Sequence, residues 1–454
     1  MRRYLFFLTQ KIGLDKSIAY SSGSRVINAI AGVVSVFFIT SFLTGIEQGF
    51  YYTFGSVLAL QIFFELGLTG IMTQYVAHES SHLILNPDNH FSGDEKYKSR
   101  LASLIHFVVK WYGILAVVAL AFLLVVGFVF FEKFGSEHEN VIWKTPWVLI
   151  CFGTAANLFL SPFNSIFMGL GKVKEISKIG FFQQILLPFI SWSGLALGCK
   201  LYILGIGYII SVVFWLLFIW RLGLAHIIIN LCRYKVKERV SYWKEIFPFQ
   251  WKIALSWVSG YFIFQLFNPV LFATEGAVVA GQMGMTLQAL NAIQAFSMSW
   301  LSTKVPLFSK LIAIKDYVKL DSIFIRVVKQ MSSVCLALLL SFFVVIWGLH
   351  ITKLQFGENL LADRFLPYLP LLLMMFPIYL QQFTNAWATY LRCHLKEPFL
   401  IISICGGIAN GLSTIVLGNL YGLYGMTMGY CLLSILFFPW GYWLYKKNKI
   451  EWHG

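Results

Sequence analysis

Long uninterrupted apolar stretches constrain this chain more than any other feature of its sequence. Residues 33–43, 116–131 and 335–347 are almost entirely apolar, and flanking apolar residues extend each stretch to roughly 20 residues or more. A helix of that length crosses the roughly 30 Å of bilayer hydrocarbon, whereas a membrane strand needs only about 10 residues and alternates polar with apolar side chains. Because these stretches do not alternate, they predict membrane-spanning helices.

The composition agrees with this interpretation. Hydrophobic residues make up 58% of the 454 residues and charged residues only 12%, whereas about 25% is usual for soluble domains. The seven cysteines are scattered, with no CxxC pair and no histidine at metal-ligand spacing, so we expect neither a disulfide framework nor a metal site. Residues 1–20 show no small-residue cleavage site, and we expect them to be retained in the cytoplasm.

The apolar stretches predict about twelve spans in an all-α integral membrane protein. They lie near residues 24–45, 50–76, 105–131, 145–169, 177–198, 202–222, 253–274, 277–300, 329–350, 365–390, 399–418 and 421–445. With a cytoplasmic N-terminus, 30 of the 35 Lys and Arg residues fall on the inner side, as the positive-inside rule requires. We therefore expect both termini to be cytoplasmic. The rule also accounts for the net charge of +15 without a nucleic-acid partner.

An internal repeat at an offset of 222 residues relates the two halves of the chain. An even number of spans per half gives both halves the same orientation, so the repeat predicts two parallel six-helix halves around a central cleft. The predicted domains are residues 1–222, a cytoplasmic linker at 223–252, and residues 253–454. Seven residues recur at this offset: Lys174, Glu175, Ser191, Leu201, Tyr202, Gly207 and Tyr208 return as Lys396, Glu397, Ser413, Leu423, Tyr424, Gly429 and Tyr430.

The sequence carries no pattern that is typical of an enzyme. Paired carboxylates, a nucleophile with a base and a glycine-rich phosphate loop are missing. The segments predicted on the outer face are also too short for a catalytic domain. We therefore expect a protein that is not an enzyme and needs no cofactor, with its function in the membrane helices.

Glu65 is the one carboxylate well inside a predicted span. A charge at that depth costs about 2.5–3.5 kcal/mol on insertion scales unless it faces protein or water. Two interpretations stay open: Glu65 lies on a transport pathway, where it couples H⁺ or binds sugar hydroxyls, or it supports a helix bend at Gly67 and Gly70.

Further candidate pathway residues are polar side chains on apolar helices. Arg25 and Asn28 lie on one polar stripe of the first span, and Arg25 either binds a phosphate or anchors the span at the membrane interface. Lys252 opens the seventh span and has the same two interpretations. The amides of spans 7 and 8 suit a carbohydrate path or ordinary interhelical hydrogen bonds, and two aromatic rings there are placed for stacking on a sugar. These candidates are Trp257, Tyr261, Gln265, Asn268, Gln288, Asn291 and Gln294.

Several segments resemble polysaccharide flippases of the multidrug/oligosaccharidyl-lipid/polysaccharide (MOP) superfamily. Residues 42–76 are similar to the first hairpin of these proteins, whose second span typically ends in an acidic residue followed by Leu-Gly-Leu, here Glu65-Leu66-Gly67-Leu68. The other similar segments are residues 167–175, 279–293, 302–311 and 422–430. Together they spread the resemblance over nearly the whole chain.

The resemblance implies a Wzx-like translocase of the bacterial inner membrane. Such a protein flips undecaprenyl-pyrophosphate-linked oligosaccharide by alternating access for O-antigen or other surface polysaccharide. The implied partners are membrane lipid, the lipid-linked oligosaccharide and other polysaccharide-assembly membrane proteins, with coupling to H⁺ or Na⁺. Two alternatives stay open. One is a multidrug or cation antiporter of the same fold, which commonly has a carboxylate in its first span, where this chain has none. The other is a scaffold protein of a polysaccharide machine.

Overall fold

The structure, a computed structural model, describes residues 16–86, 89–135, 141–356, 359–394 and 396–453. Nearly all of these residues are helical, and two short antiparallel hairpins pair β1 (Leu83–Leu85) with β2 (Phe91–Gly93) and β3 (Gln355–Phe356) with β4 (Asn359–Leu360). The helices in chain order are α1 (Lys16–Phe42), α2 (Gly45–Leu58), α3 (Ile62–Glu65), α4 (Leu68–Ser80), α5 (Glu95–Phe134), α6 (Lys144–Gly169), α7 (Val173–Ala196), α8 (Tyr202–Arg221), α9 (Leu224–Arg233), α10 (Phe247–Phe264), α11 (Phe267–Thr274), α12 (Ala277–Ser302), α13 (Val305–Ala313), α14 (Tyr317–Thr352), α15 (Tyr368–Arg392) and α16 (Leu400–His453).

The helices are those of a multi-pass membrane protein. In the described parts of the chain, seven helices are long and apolar enough to cross a membrane, and the bent pair Gly45–Glu65 and Leu68–Ser80 raises the number to eight. Helix α16 is two helices in succession, because Gly422 has non-helical dihedral angles (φ 56°, ψ −139°). With α1, α12 and α15, the helical segments correspond to the twelve predicted spans. The all-α membrane class predicted from the apolar stretches is thereby confirmed.

The chain forms two compact units. Unit 1 contains Met1–Ile27, Leu60–Phe130 and Ile142–Trp257, and unit 2 contains Asn28–Ala59, Phe131–Val141 and Val258–Gly454. The segment 223–252, predicted to link two halves, lies within unit 1. The predicted domain boundaries describe the sequence repeat, and they stay a prediction.

The apolar faces of α4, α5, α6, α8 and α9 form the core of unit 1. Helix α9 is amphipathic. Its residues Leu224, Ile227 and Leu231 follow a spacing of three to four residues and are all buried. The segment after α9 is held on the first turns of α5, where the Ser99 hydroxyl accepts hydrogen bonds from the N–H groups of Lys237 and Glu238, each at 2.8 Å. Residues 234–240 are therefore fixed to unit 1 by polar contacts.

A partly buried charge cluster strengthens this attachment. The Arg100 Nε donates to both carboxylate oxygens of Glu79, at 3.0 and 3.1 Å, and one Nη donates to Glu245 at 2.7 Å. The hydrogen bonds to Glu79 raise the pKa of Arg100 above its usual value. Burial by itself raises the pKa of Glu245, but hydrogen bonds from the Ser241 N–H and from Arg100 outweigh it and lower that pKa. Both groups therefore stay charged at neutral pH.

In unit 2, helices α2 and α12 approach each other most closely at glycines. A Cβ atom placed on Gly49 would lie 1.9 Å from the carbonyl oxygen of Ala277, and one on Gly281 would lie 2.9 Å from the backbone N of Gly49. Helices in membranes associate through such small residues, because lipid provides no hydrophobic force between them. The contact therefore requires glycine at position 49.

The buried side chain of Arg364, a residue that follows β4, makes a further set of contacts in unit 2. Its guanidinium donates to the Leu43 carbonyl at 2.7 Å, while Gln48 Nε2 donates to the carbonyls of Gly281 and Arg364 at 2.8 and 3.1 Å. Burial lowers the pKa of Arg364. These contacts join the start of α2, helix α12 and the segment before α15.

Replacing Gly49 with alanine should destabilise the protein, because the added methyl group overlaps the Ala277 carbonyl. We expect a loss of about 1–3 kcal/mol, the usual cost of overpacking. The matched control is Gly55→Ala on the same helix, where a Cβ meets no atom within 4 Å and alanine favours the helix. Thermal unfolding of the detergent-purified proteins measures both variants, and equal midpoints for them would contradict the close helix contact.

Candidate functional site

Glu65 lies in unit 1 at a break between two helices. Helix α3 ends at Glu65, and the next two residues, Leu66 (φ 48°) and Gly67 (φ 69°), are both left-handed before α4 begins. Only glycine adopts this region without strain, and a Cβ on Gly67 would also lie 2.6 Å from Ile253 Cγ2. The Leu-Gly pair after the acidic residue therefore ends the helix and places Glu65 beside the first turn of α4.

One hydroxyl group binds the Glu65 carboxylate, and a second one lies within electrostatic range of it. Thr69 Oγ1 donates a hydrogen bond to Glu65 Oε1 at 2.7 Å. The Tyr112 hydroxyl is within electrostatic range of Glu65, is fully buried, and has no hydrogen-bond partner among the described residues. We call Glu65, Thr69 and Tyr112 the Glu65 site. It offers a proton-binding group whose neighbours are neutral hydroxyls.

Trp257 is the aromatic candidate nearest to this break. Its indole ring lies 3.6 Å from the Cβ position of Gly67, and 42% of the side chain is exposed. Trp257 thus contacts the helix break of the Glu65 site within unit 1, and part of its ring stays open to an external group.

Unit 2 contains a network of amide and tyrosine side chains. Gln288 Nε2 donates to the Gly32 carbonyl at 2.9 Å, and Tyr52 donates to Gln288 Oε1 at 2.6 Å. One turn along α2, Ser56 Oγ accepts from Asn268 Nδ2 at 3.1 Å. The same serine's carbonyl accepts from the Tyr261 hydroxyl at 3.4 Å.

A second polar chain joins α12, α15 and α16. Gln294 Nε2 donates to Gln381 Oε1 at 3.2 Å, and Gln381 Nε2 donates to the Tyr430 hydroxyl at 2.6 Å. These two sets together form what we call the amide network of unit 2. Its members are Tyr52, Ser56, Tyr261, Asn268, Gln288, Gln294, Gln381 and Tyr430.

Some buried polar atoms near this network make no hydrogen bond with the described residues. Asn268 Oδ1 and Thr53 Oγ1 are buried and have no hydrogen-bond partner in the described part of the chain. A buried polar atom left without a partner costs about 1–3 kcal/mol. Such atoms are usually satisfied by water or by a bound ligand, so this region of unit 2 can accept further hydrogen bonds.

The predicted span 253–274 is long and apolar enough to cross a membrane, and it contains a helix break. Helix α10 ends at Phe264 and α11 begins at Phe267, because Pro269 lacks the N–H that would bond to the Gln265 carbonyl four residues earlier. Gln265 is half-buried at this break, and Tyr261 is 5% exposed. The break therefore lies between Tyr261 and Asn268 along the chain, and the Tyr261 ring is packed inside unit 2.

The remaining predicted pathway residues belong neither to the Glu65 site nor to the amide network. Asn28 and Asn291 are exposed, and the side chains of Asn291 and Gln265 make no hydrogen bond with another described residue. Arg25 and Lys252 lie on helices, but their side chains are outside the described part of the structure. Their predicted roles stay predictions.

The comparisons with known proteins give structural relatives only. No protein-family model and no curated protein matches the chain. An inward-facing multidrug resistance MATE family transporter of the MOP superfamily matches with a TM-score of 0.66 and 14% identity, covering 93% of this chain and 95% of that chain. An outward-facing transporter of the same description matches with a TM-score of 0.52 and 12% identity, covering 97% of this chain and 98% of that chain.

A third similar structure is a MOP superfamily transporter from Pyrococcus furiosus, described as having a binding pocket of reverse polarity. It matches with a TM-score of 0.50 and 12% identity, covering 96% of this chain and 98% of that chain. At these identities the likeness concerns the fold. The chain is an all-α membrane protein with the fold of the MATE transporters of the MOP superfamily.

Proposed function

We propose that the chain is a secondary transporter that moves an amphipathic organic solute across a membrane by alternating access. The observation that carries this proposal is the fold, which is similar to transporters captured in inward-facing and outward-facing conformations over 93% and 97% of the chain. Alternating access consists of exchange between two such states around a binding site.

For the substrate, our first candidate is an organic cation, exported in exchange for H⁺. The structures similar to this chain include multidrug resistance transporters, which supports this class. The Glu65 carboxylate supports it as well, because it makes no ion pair with a described residue and hydrogen-bonds to the neutral Thr69 hydroxyl. Such a carboxylate attracts a cation when ionised and releases it on binding a proton. Glu65 is thus our candidate for the residue that couples H⁺ to cation transport.

Glu65→Gln should abolish transport driven by a pH gradient, because the amide keeps the hydrogen bond with Thr69 but cannot bind or release a proton. The measurement is uptake of a fluorescent lipophilic cation into proteoliposomes with an imposed pH gradient, where we expect uptake to fall to the level of empty liposomes. Glu65→Asp should retain part of the activity.

The matched control is Glu238→Gln, which removes an exposed carboxylate of the same unit and should transport at the rate of the parent. Uptake by Glu65→Gln at that same rate, with a normal elution profile, would rule out Glu65 as the coupling group.

A second candidate substrate is lipid-linked oligosaccharide, as the sequence resemblance implies. The amide network of unit 2 supports it, because neutral amides and hydroxyls bind sugar hydroxyl groups, and the unpartnered Asn268 Oδ1 and Thr53 Oγ1 leave capacity to do so. The Pyrococcus furiosus relative is described as having a pocket of reverse polarity and a different function. The fold is therefore compatible with more than one substrate class.

Complementation separates the two candidates. If the chain flips lipid-linked oligosaccharide, it should restore surface glycan in a bacterial strain that lacks its repeat-unit flippase. Gln288→Leu should lose this ability at normal expression, because it breaks the links to Tyr52 and Gly32. The control Ala295→Leu, an exposed position on the same helix, should complement. Failure of the parent in strains that supply several glycans, together with H⁺-driven cation export, would leave the first candidate alone.

A further inference from the structure

Two histidines face each other at one end of unit 2. His394 lies in the turn after α15, and His453 is the last residue of α16. Their Nε2 atoms are 3.2 Å apart, although the residues are separated by 59 positions in the sequence. Both side chains are half-buried. Neither belongs to the Glu65 site or to the amide network.

The surroundings of His394 decide which nitrogen carries its proton. Its Nδ1 lies 3.2 Å from the Tyr390 carbonyl oxygen, which can only accept a hydrogen bond, so Nδ1 carries the hydrogen. The Nε2 atom then presents a lone pair towards His453. A backbone carbonyl that holds the far ring nitrogen in this way is the usual support of a metal-binding histidine.

The distance between the two Nε2 atoms fits a shared metal ion. Zinc binds histidine nitrogen at about 2.0–2.1 Å with tetrahedral angles, which places two ligand nitrogens about 3.3 Å apart. We propose that His394 and His453 bind a divalent transition metal ion of the Zn²⁺ class through their Nε2 atoms, with water in the other positions.

Aromatic packing holds both rings in place before any ion binds. The Tyr317 ring stacks on His453 with a centroid distance of 4.0 Å and an interplanar angle of 12°. The Trp452 ring lies 5.1 Å from His394. Because both imidazoles are packed, binding an ion requires little loss of side-chain entropy.

One carboxylate and two lysines lie around the pair. Asp321 accepts a hydrogen bond from Tyr390 at 2.7 Å and pairs with Lys449 at 2.7 Å. Lys396 lies 4.5 Å from the centre of the Trp452 ring. The carboxylate of Asp321 thus offsets a lysine that would otherwise repel a divalent cation.

An ion bound at this site would hold the end of α16 close to the end of α15. His394 follows α15 and His453 ends α16, so a bound ion cross-links the ends of two helices within unit 2. In the described residues no group of three or more metal-ligating side chains occurs. Structural zinc sites have four protein ligands, so an ion held by two histidines leaves its other positions to water.

The test is Zn²⁺ binding to the full chain, purified in detergent without a histidine tag and freed of metal with a chelator. Competition with a zinc indicator at constant pH measures affinity, and thermal unfolding measures the stabilisation by Zn²⁺. We expect one Zn²⁺ per chain and a higher unfolding temperature with Zn²⁺ but not with Mg²⁺. His394→Gln and His453→Gln should each weaken binding about tenfold or more, since loss of an outer-shell partner alone costs 10–100-fold.

The control is His82→Gln, which removes one of another pair of neighbouring histidines, His78 and His82, and should bind Zn²⁺ like the parent. X-ray absorption of the Zn²⁺-loaded parent gives an independent readout, in which we expect two imidazole ligands with oxygen in the other positions. Absence of saturable binding in the parent, or equal affinity in the parent and both variants, would show that the histidines form only a hydrogen-bonded pair.

Discussion

The close crossing of α2 and α12 in unit 2 is the contact on which its polar interior depends. In a bilayer the helix backbones satisfy their own hydrogen bonds, so helices associate through packing and a few polar side chains. Gly49 and Gly281 let the two backbones touch. That approach brings Gln48 to the Gly281 carbonyl and Tyr52 to Gln288. Larger residues at the crossing would separate α2 from α12 and leave these polar groups buried without partners.

The two units hold chemically different candidate sites. Unit 1 has a carboxylate, Glu65, at a helix break, where the Thr69 hydroxyl donates a hydrogen bond to it and the Tyr112 hydroxyl lies within electrostatic range. Unit 2 has neutral amides and tyrosines, with hydrogen-bonding capacity still open at Asn268. A proton-coupled cation transporter would depend chiefly on the Glu65 site of unit 1, and a carrier of sugar on the amide network of unit 2. This division explains why one fold is compatible with both proposed substrate classes.

The features that depend on local sequence were predictable. The apolar stretches gave the all-α membrane class, and the cost of a charge in lipid singled out Glu65. Contacts across the fold were not predictable. Tyr112 comes within electrostatic range of Glu65 from another helix, and Asn268 donates to Ser56 across 212 residues. The break after Phe264 had a visible cause in Pro269, but a proline in a membrane helix bends, breaks or leaves it intact according to its neighbours. Nothing in the sequence pairs His394 with His453.

Alternating access is most directly tested by asking from which side of the membrane the Glu65 site can be reached. A single cysteine replacing Thr69, in a chain whose seven native cysteines are replaced, is treated with a membrane-impermeant maleimide in oriented vesicles. We expect labelling from either face, with the balance shifted by an imposed pH gradient. Labelling confined to one face under every condition, in a protein that still transports, would contradict alternating access.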